Sequence, residues 1–338
     1  MEGNKRLGVA IFGLGRAGQI HIKNVVQNYK LELLYAIDLR LDHTKSLLEQ
    51  YHQPQCQALS PADQDIALND KKLDFVLVST PTFEHEEIVL AAARAGKAIF
   101  CEKPIAATDE AIENCYNVAA ENGVALFCSF NRRYDPSLRQ MHKSRDQIGQ
   151  IQMVKSCARD APFPPMEYLK ISGGVFHDCL VHDIDLICWM MGDYPVQVFA
   201  SAHAFCEEIK AMNDVDTVAA VMKFKSGTVA VIDTSRDAVY GYDQRIELFG
   251  SKGMLLNQNQ RPNNLVRESE QGMTSGRIYN SFNDRYEDSY IQALEHFCRV
   301  VRGEEEMEIT KENTLNISKI ADALERSSRT GQQIDMTY

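Results

Sequence analysis

Leu7-Gly-Val-Ala-Ile-Phe-Gly13-Leu-Gly15-Arg16-Ala17-Gly18 is an apolar, partly β-branched run that breaks at Gly13 and Gly15 before a helical pattern begins at Ala17, with Gly18 in its first turn. A strand predicted over Leu7–Gly13 and a helix over Ala17–Gln27 place the glycines at a strand-to-helix turn. In that setting Gly13 permits the tight turn, Gly15 lets backbone approach a pyrophosphate, and Gly18 lets helix and strand pack closely. The N-terminus of the helix, opening at Arg16 and Ala17, offers N–H groups to phosphate. Twenty residues past Gly18, Asp38 ends the next predicted strand, where a carboxylate accepts the ribose hydroxyls of NAD and repels a 2′-phosphate. Arg40, two residues on, is a guanidinium that could admit NADP, so NAD is the expected cofactor and NADP the less favoured one.

Outward from this turn the pattern repeats. Strands are predicted at Leu31–Asp38, Asp74–Thr80, Ala98–Cys101 and Ala125–Phe130, and helices at Thr44–Tyr51, Glu84–Ala95 and Asp109–Glu121, which is a βα alternation around a parallel sheet. Thr108 is placed to cap the last of these helices, and Gly96 and Gly123 to terminate two of them. Ser79-Thr80-Pro81 and Cys101-Glu102-Lys103-Pro104 end two strands at the carboxyl edge of the sheet, where open α/β folds bind ligands, and the prolines stiffen both exits. Thr80 and Lys103 are therefore expected near the nicotinamide.

Beyond about residue 150 a helix follows Gly173-Gly174, and then strands come in succession at Gln197–Phe205, Thr217–Phe224, Thr228–Thr234 and Gln244–Phe249, with Lys225-Ser-Gly-Thr228 as a hairpin turn. Helices are expected over Asp284–Val301 and Leu315–Ser327, and the polar stretch Asn257–Gly276 as a long mobile loop. The fold class that results is an α/β N-terminal Rossmann domain, residues 1–125, plus an α+β C-terminal domain with a large, mostly antiparallel open sheet, residues 126–338, for substrate binding and oligomerisation.

The 338 residues exceed what one core usually serves, and 44% hydrophobic with 25% charged content is ordinary for a globular chain. A formal net charge of −11 disfavours nucleic acid or an anionic membrane as partner. No apolar run is long enough to span a bilayer, and Met1-Glu-Gly-Asn-Lys-Arg6 leads into a strand instead of a signal-peptide core, so a cytoplasmic location is expected. The nine cysteines are odd in number and lack a CxxC pair; Cys115, Cys128, Cys188 and Cys298 lie in apolar patterns, so the set reads as buried thiols, with no zinc site.

The chemistry concentrates in Gly173-Gly-Val-Phe-His-Asp178-Cys-Leu-Val-His182-Asp-Ile-Asp185. On an α-helix Asp178, His182 and Asp185 fall at i, i+4 and i+7, one face, amid apolar neighbours. An imidazole is the natural base for an alcohol proton near neutral pH, and a lysine such as Lys103 can stabilise the charge left on oxygen. The alternative is a satisfied core histidine with a capping acid. His177 and Asp183 point off that face and read as structural, and for Arg132 and Arg133 a salt bridge competes with a substrate role.

These segments together resemble the family of glucose-fructose oxidoreductase, inositol dehydrogenase and rhizopine catabolism proteins over nearly the full length. The resemblance rests on Gly13–Gly18, Thr80-Pro81 with His85, Glu102-Lys103-Pro104, Asn131-Arg-Arg-Tyr-Asp135 and Gly173–Asp185. Ala158-Arg-Asp-Ala-Pro162, Asp214-Val-Asp-Thr217, Ser235-Arg236, Tyr240-Gly-Tyr-Asp-Gln-Arg245 and Phe249-Gly-Ser-Lys-Gly253 make it most similar to inositol 2-dehydrogenases. The resemblance implies Lys103, Asp178 and His182 as catalytic residues. It places His85 and Glu102 with the cofactor-binding residues, Asp185 as a substrate-contacting acid, and Arg133, Asp160, Tyr242 and Tyr286 as further polyol contacts. It also implies oxidation of a cyclic polyol, myo- or scyllo-inositol, to the ketone with NAD, by a homo-oligomer, dimer or tetramer. An aldose or dihydrodiol substrate, or a non-catalytic nucleotide sensor on the same fold, remain the alternatives.

Overall fold

Short β-branched runs paired in register build the first sheet. In a computed structural model, which describes residues 5–338, the strands β1 (Leu7–Phe12), β2 (Leu31–Ile37), β3 (Gln57–Leu59), β4 (Leu73–Val78), β5 (Ala98–Cys101) and β6 (Leu126–Cys128) lie side by side in the order β3-β2-β1-β4-β5-β6, and all pairs are parallel. The opening residues 1–4, part of the stretch read above as lacking a signal-peptide core, lie outside the described residues. β1 is buried along its whole length, as a central parallel strand with both faces covered must be. The order reverses between β1 and β4, and a ligand crevice forms at such a switch point. Thr108 does cap Asp109–Glu121, its side chain accepting from the Ala111 N–H, a bond worth about 1 kcal/mol to a helix. Gly96 and Gly123 terminate their helices with positive φ.

The chain divides into two compact units, residues 5–131 with Tyr290–Leu315 and Arg132–Ser289 with Asn316–Tyr338. The contiguous split at residue 125 differs from this for two physical reasons. β6 is hydrogen-bonded to β5 and so belongs to the first sheet. From Tyr290 the helix Glu287–Val301 inserts Phe297 among Phe75, Phe100 and Phe127, with ring centroids 5.2, 5.6 and 6.0 Å away. Burying that ring is worth roughly 1.5–3 kcal/mol, which ties a distant stretch of chain to the first core.

In the second unit β7 (Ile151–Arg159), β8 (Pro195–His203), β9 (Thr217–Phe224), β10 (Val229–Ser235), β11 (Asp243–Gly250) and β12 (Gly253–Asn257) form a sheet in the order β12-β11-β7-β10-β9-β8, closed at the far edge by the short β15 (Ile334–Asp335). Only β7 and β10 pair in parallel. Along β9 the residues Val218, Ala220, Met222 and Phe224 are buried while those between them face out, the alternation of a sheet packed on one side. Phe199, Val221 and Val231 stand opposite one another on the outer face. The stretch Asn257–Gly276 is not loop throughout: β13 (Val266–Ser269) and β14 (Gly272–Ser275) make an antiparallel hairpin, since Glu270-Gln-Gly272 supplies the turn, with Gly272 at φ +101°. The helix expected from Asp284 is two pieces, Phe282–Arg285 and Glu287–Val301. All nine cysteines are free thiols, and Cys115, Cys128, Cys188 and Cys298 are buried. No helix among the described residues is long and apolar enough to cross a membrane.

Candidate active site

The glycine turn takes the shape its residue types require. Gly13 has φ +84°, which other residues rarely adopt, and a Cβ there would stand 2.7 Å from the Ser79 carbonyl. A Cβ on Gly18 would lie 2.1 Å from the Gly13 oxygen. At Gly15 the same test meets nothing within 4 Å, so this backbone faces open space. The helix Arg16–Gln27 that starts there has no side-chain cap and no acid in its first turn, leaving its N–H groups for an anion. Arg16 is exposed and Ala17 half-buried.

Asp38 closes the cradle. Its carboxylate accepts from the N–H of Leu14 at 2.7 Å and from the N–H of Arg40 at 2.8 Å, so it braces the turn as well as ending β2. Burial pushes its carboxyl up, but those two N–H bonds and the Arg40 guanidinium outweigh burial and hold it below the usual carboxylate range. The Arg40 side chain leans on Asp38 at 3.3 Å and is largely exposed. These residues fit a dinucleotide whose ribose hydroxyls meet a carboxylate.

The loops after β4 and β5 are fastened to each other. His85 is buried, with Nδ1 2.8 Å from the Pro104 oxygen and Nε2 2.9 Å from the Thr80 oxygen. It ties together the loops that carry Thr80, Pro81 and Lys103. Burial lowers its pKa, against the two carbonyls, which favour the protonated ring. Glu102 turns inward to the buried His21 at 2.7 Å. Lys103 is half-buried, and its peptide bond to Pro104 is cis.

In the second unit the segment after Gly173-Gly174 is not one regular α-helix. Phe176–Leu180 is a π-turn, with i→i+5 bonding, and the α-helix Val181–Met191 follows. The one-face reading of Asp178, His182 and Asp185 therefore needs correction, because α-helical spacing does not hold through residue 180. Asp178 accepts from the Tyr168 hydroxyl at 2.7 Å and from Arg236 at 3.0 Å. Asp185 accepts instead from Arg133, in a two-pronged pair at 2.6 and 2.9 Å, and both side chains are buried. Asp183 takes the Ser156 hydroxyl at 2.5 Å and Arg132 at 3.2 Å, the structural role expected of it. His182 is half-buried, the second residue of the α-helix that follows the π-turn.

Asp160, at the end of β7, is half-buried and accepts from the Cys179 thiol at 3.3 Å. Burial, then the nearby charge of Asp178, raises its pKa. Tyr242 and Tyr286 are buried edge to face at 6.0 Å, and Tyr286 stacks under Arg132 and Arg285. Asp160 and Asp178 thus share a cluster, while Tyr242, Tyr286, Arg133 and Asp185 are packed into the framework around it. Sequence reasoning gave no role to Tyr168, Asp214 or Arg236. For Arg236 the available signal was a cation directly following a mostly apolar strand.

Fold and cradle define a nucleotide-dependent oxidoreductase of two units. Residues 7–130 match the oxidoreductase family with an NAD-binding Rossmann fold, and residues 138–256 match the GFO/IDH/MocA C-terminal domain. The chain belongs to this GFO/IDH/MocA oxidoreductase family and is an NAD-dependent enzyme. It is 37% identical to the myo-inositol 2-dehydrogenase of Thermotoga maritima, covering 90% of this chain and 91% of that one. It is 34% identical to the inositol 2-dehydrogenase of Rhizobium meliloti, covering 96% and 98%. Among solved structures, the scyllo-inositol dehydrogenase of Lactobacillus casei with bound NAD(H) and scyllo-inositol is similar at a TM-score of 0.89 and 26% identity, over 98% of this chain and 99% of that one.

Proposed function

We propose that the enzyme oxidises a ring hydroxyl of myo-inositol or scyllo-inositol to the ketone, with NAD as acceptor. The observation that carries this reading is the polar cluster of Asp160, Asp178 and Cys179, on the segment that also carries His182, in a chain that holds an NAD cradle and aligns with inositol dehydrogenases over nearly its whole length. Bound NAD supplies the hydride acceptor. In this reading His182 takes the hydroxyl proton. Lys103 stabilises the negative charge that grows on the alcohol oxygen. Asp178 orients the imidazole and favours its protonated form once the proton has moved. Asp160, with its raised pKa, exchanges hydrogen bonds with a second hydroxyl of the polyol. Arg133, Asp185, Tyr242 and Tyr286 support these groups from the buried framework.

The apolar stripe of Phe199, Val221 and Val231 on the outer sheet face fits pairing with a second copy, in a dimer or tetramer, which light scattering on the purified protein checks. The activity is tested by incubating the protein with NAD and a panel of inositols, aldoses and dihydrodiols and following reduced cofactor. Turnover fastest with myo- or scyllo-inositol is expected. Tight NAD binding with no turnover would favour a sensor instead, and a faster aldose or dihydrodiol would move the substrate class.

A further inference from the structure

Arg236 follows β10 and is fully buried. A guanidinium withdrawn from water is costly unless opposite charge and hydrogen bonds surround it. Here Nη1 donates to Asp178 at 3.0 Å and lies 3.5 Å from the Cys179 sulfur, while Nη2 lies 3.5 Å from both Asp214 and the Ser172 hydroxyl. Asp214 in turn accepts from the Val175 N–H at 3.1 Å, at the entry to the π-turn. The second oxygen of Asp178 is held from the other side by the Tyr168 hydroxyl at 2.7 Å. A donor on each oxygen fixes both the place and the rotation of the carboxylate, and the planar fork of arginine reaches the two acids that a lysine point charge would have to choose between.

We propose that Arg236 and Tyr168 are positioning residues for the reaction: together they clamp the Asp178 carboxylate on the π-turn in the orientation it needs toward the His182 imidazole. This rests on the assignment of Asp178 to the chemistry. Neither residue is given contact with substrate or cofactor, so both act on the reaction through Asp178.

The test is a double-mutant cycle on the full-length enzyme with NAD and scyllo- or myo-inositol, using Asp178→Asn, Tyr168→Phe, Arg236→Lys and the two pairs containing Asp178→Asn. Tyr168→Phe is expected to lower kcat roughly tenfold and Arg236→Lys roughly 10- to 100-fold, with the KM for NAD unchanged. In the Asp178→Asn background each should change kcat by less than about twofold, because the group they position has lost its charge. Equal losses in both backgrounds would overturn the proposal and leave the two residues as scaffold. A slow Asp178→Asn enzyme beside wild-type rates for Tyr168→Phe and Arg236→Lys would overturn the clamp alone. Wild-type turnover by Asp178→Asn would remove Asp178 from the reaction, and the clamp with it. If Arg236→Lys fails to fold, the Tyr168→Phe arm decides, since that hydroxyl is removed without taking a buried charge.

Discussion

The turn at Gly13–Gly18 and the turn at Phe176–Leu180 both sit at the start of a helix, yet they are built by opposite means. In the first, main chain does the work: Gly13 takes a positive φ, Gly18 lets backbone meet backbone, and Gly15 leaves room where nothing stands within 4 Å. Short side chains brace it, Asp38 accepting from the Leu14 N–H and the Ser79 hydroxyl donating to the Gly13 carbonyl. In the second, side chains hold an irregular backbone in place: Arg236 and Tyr168 grip Asp178, Asp214 receives the Val175 N–H, and His177 is held from the other side by Asp322 and Glu325 at 3.2 and 3.5 Å. A cofactor common to many enzymes can be met by backbone, which is insensitive to most substitutions. A particular substrate has to be met by side chains, whose positions depend on partners far along the chain.

The contrast can be broken most forcefully at Asp38. Asp38→Ala removes the acceptor for the Leu14 and Arg40 N–H groups together with the proposed ribose acceptor. We expect NAD to bind roughly 10- to 100-fold more weakly, with reduced discrimination against NADP, by isothermal titration with both cofactors. Equal use of the two cofactors by the wild-type enzyme would show that Arg40 dominates. The glycines sharpen the point at a smaller scale. Gly18→Ala, forced against the Gly13 oxygen, should lose about 1–3 kcal/mol of stability, whereas Gly15→Ala should melt within about 1 kcal/mol of wild type yet bind NAD about tenfold more weakly. Equal melting losses at both positions would mean that Gly15 is structural after all.

The smallest effect is expected at His177. Burial alone would lower its pKa, but hydrogen bonds that the ring donates to Asp322 and Glu325 outweigh it and bring the ring to about 9, above its unfolded value. The stability this confers is fully present below about pH 6.5 and is lost as pH rises through 9. Because Asp322 is 60% exposed, screening reduces the gain to roughly 1–2 kcal/mol. His177→Gln should therefore melt below wild type at pH 6 and level with it near pH 10 by calorimetry. A gap that does not narrow with pH would assign the loss to packing.

The same contrast explains what was legible in the sequence. The glycine turn, the Thr108 cap and the hairpin at Lys225–Thr228 are set by residues within a few positions of one another, and local sterics suffice to read them. β7 escaped because its inward positions include Ser156 and Ala158, which blunt the apolar alternation; Ser156 faces inward to bond Asp183. The π-turn escaped because its geometry depends on Arg236 and Asp214, tens of residues away, and no local spacing marks it. His182 and Asp178 were visible as residue types, but Asp185 could be matched with Arg133 only once the chain had folded.

The central claim is that the second unit carries the proton chemistry while the first holds the cofactor. Measuring kcat with scyllo- or myo-inositol and the dissociation constant for NAD on the same preparation of His182→Ala tests it most directly. The account predicts a fall in kcat of roughly 10²- to 10⁴-fold with NAD affinity unchanged. Undiminished turnover would contradict it.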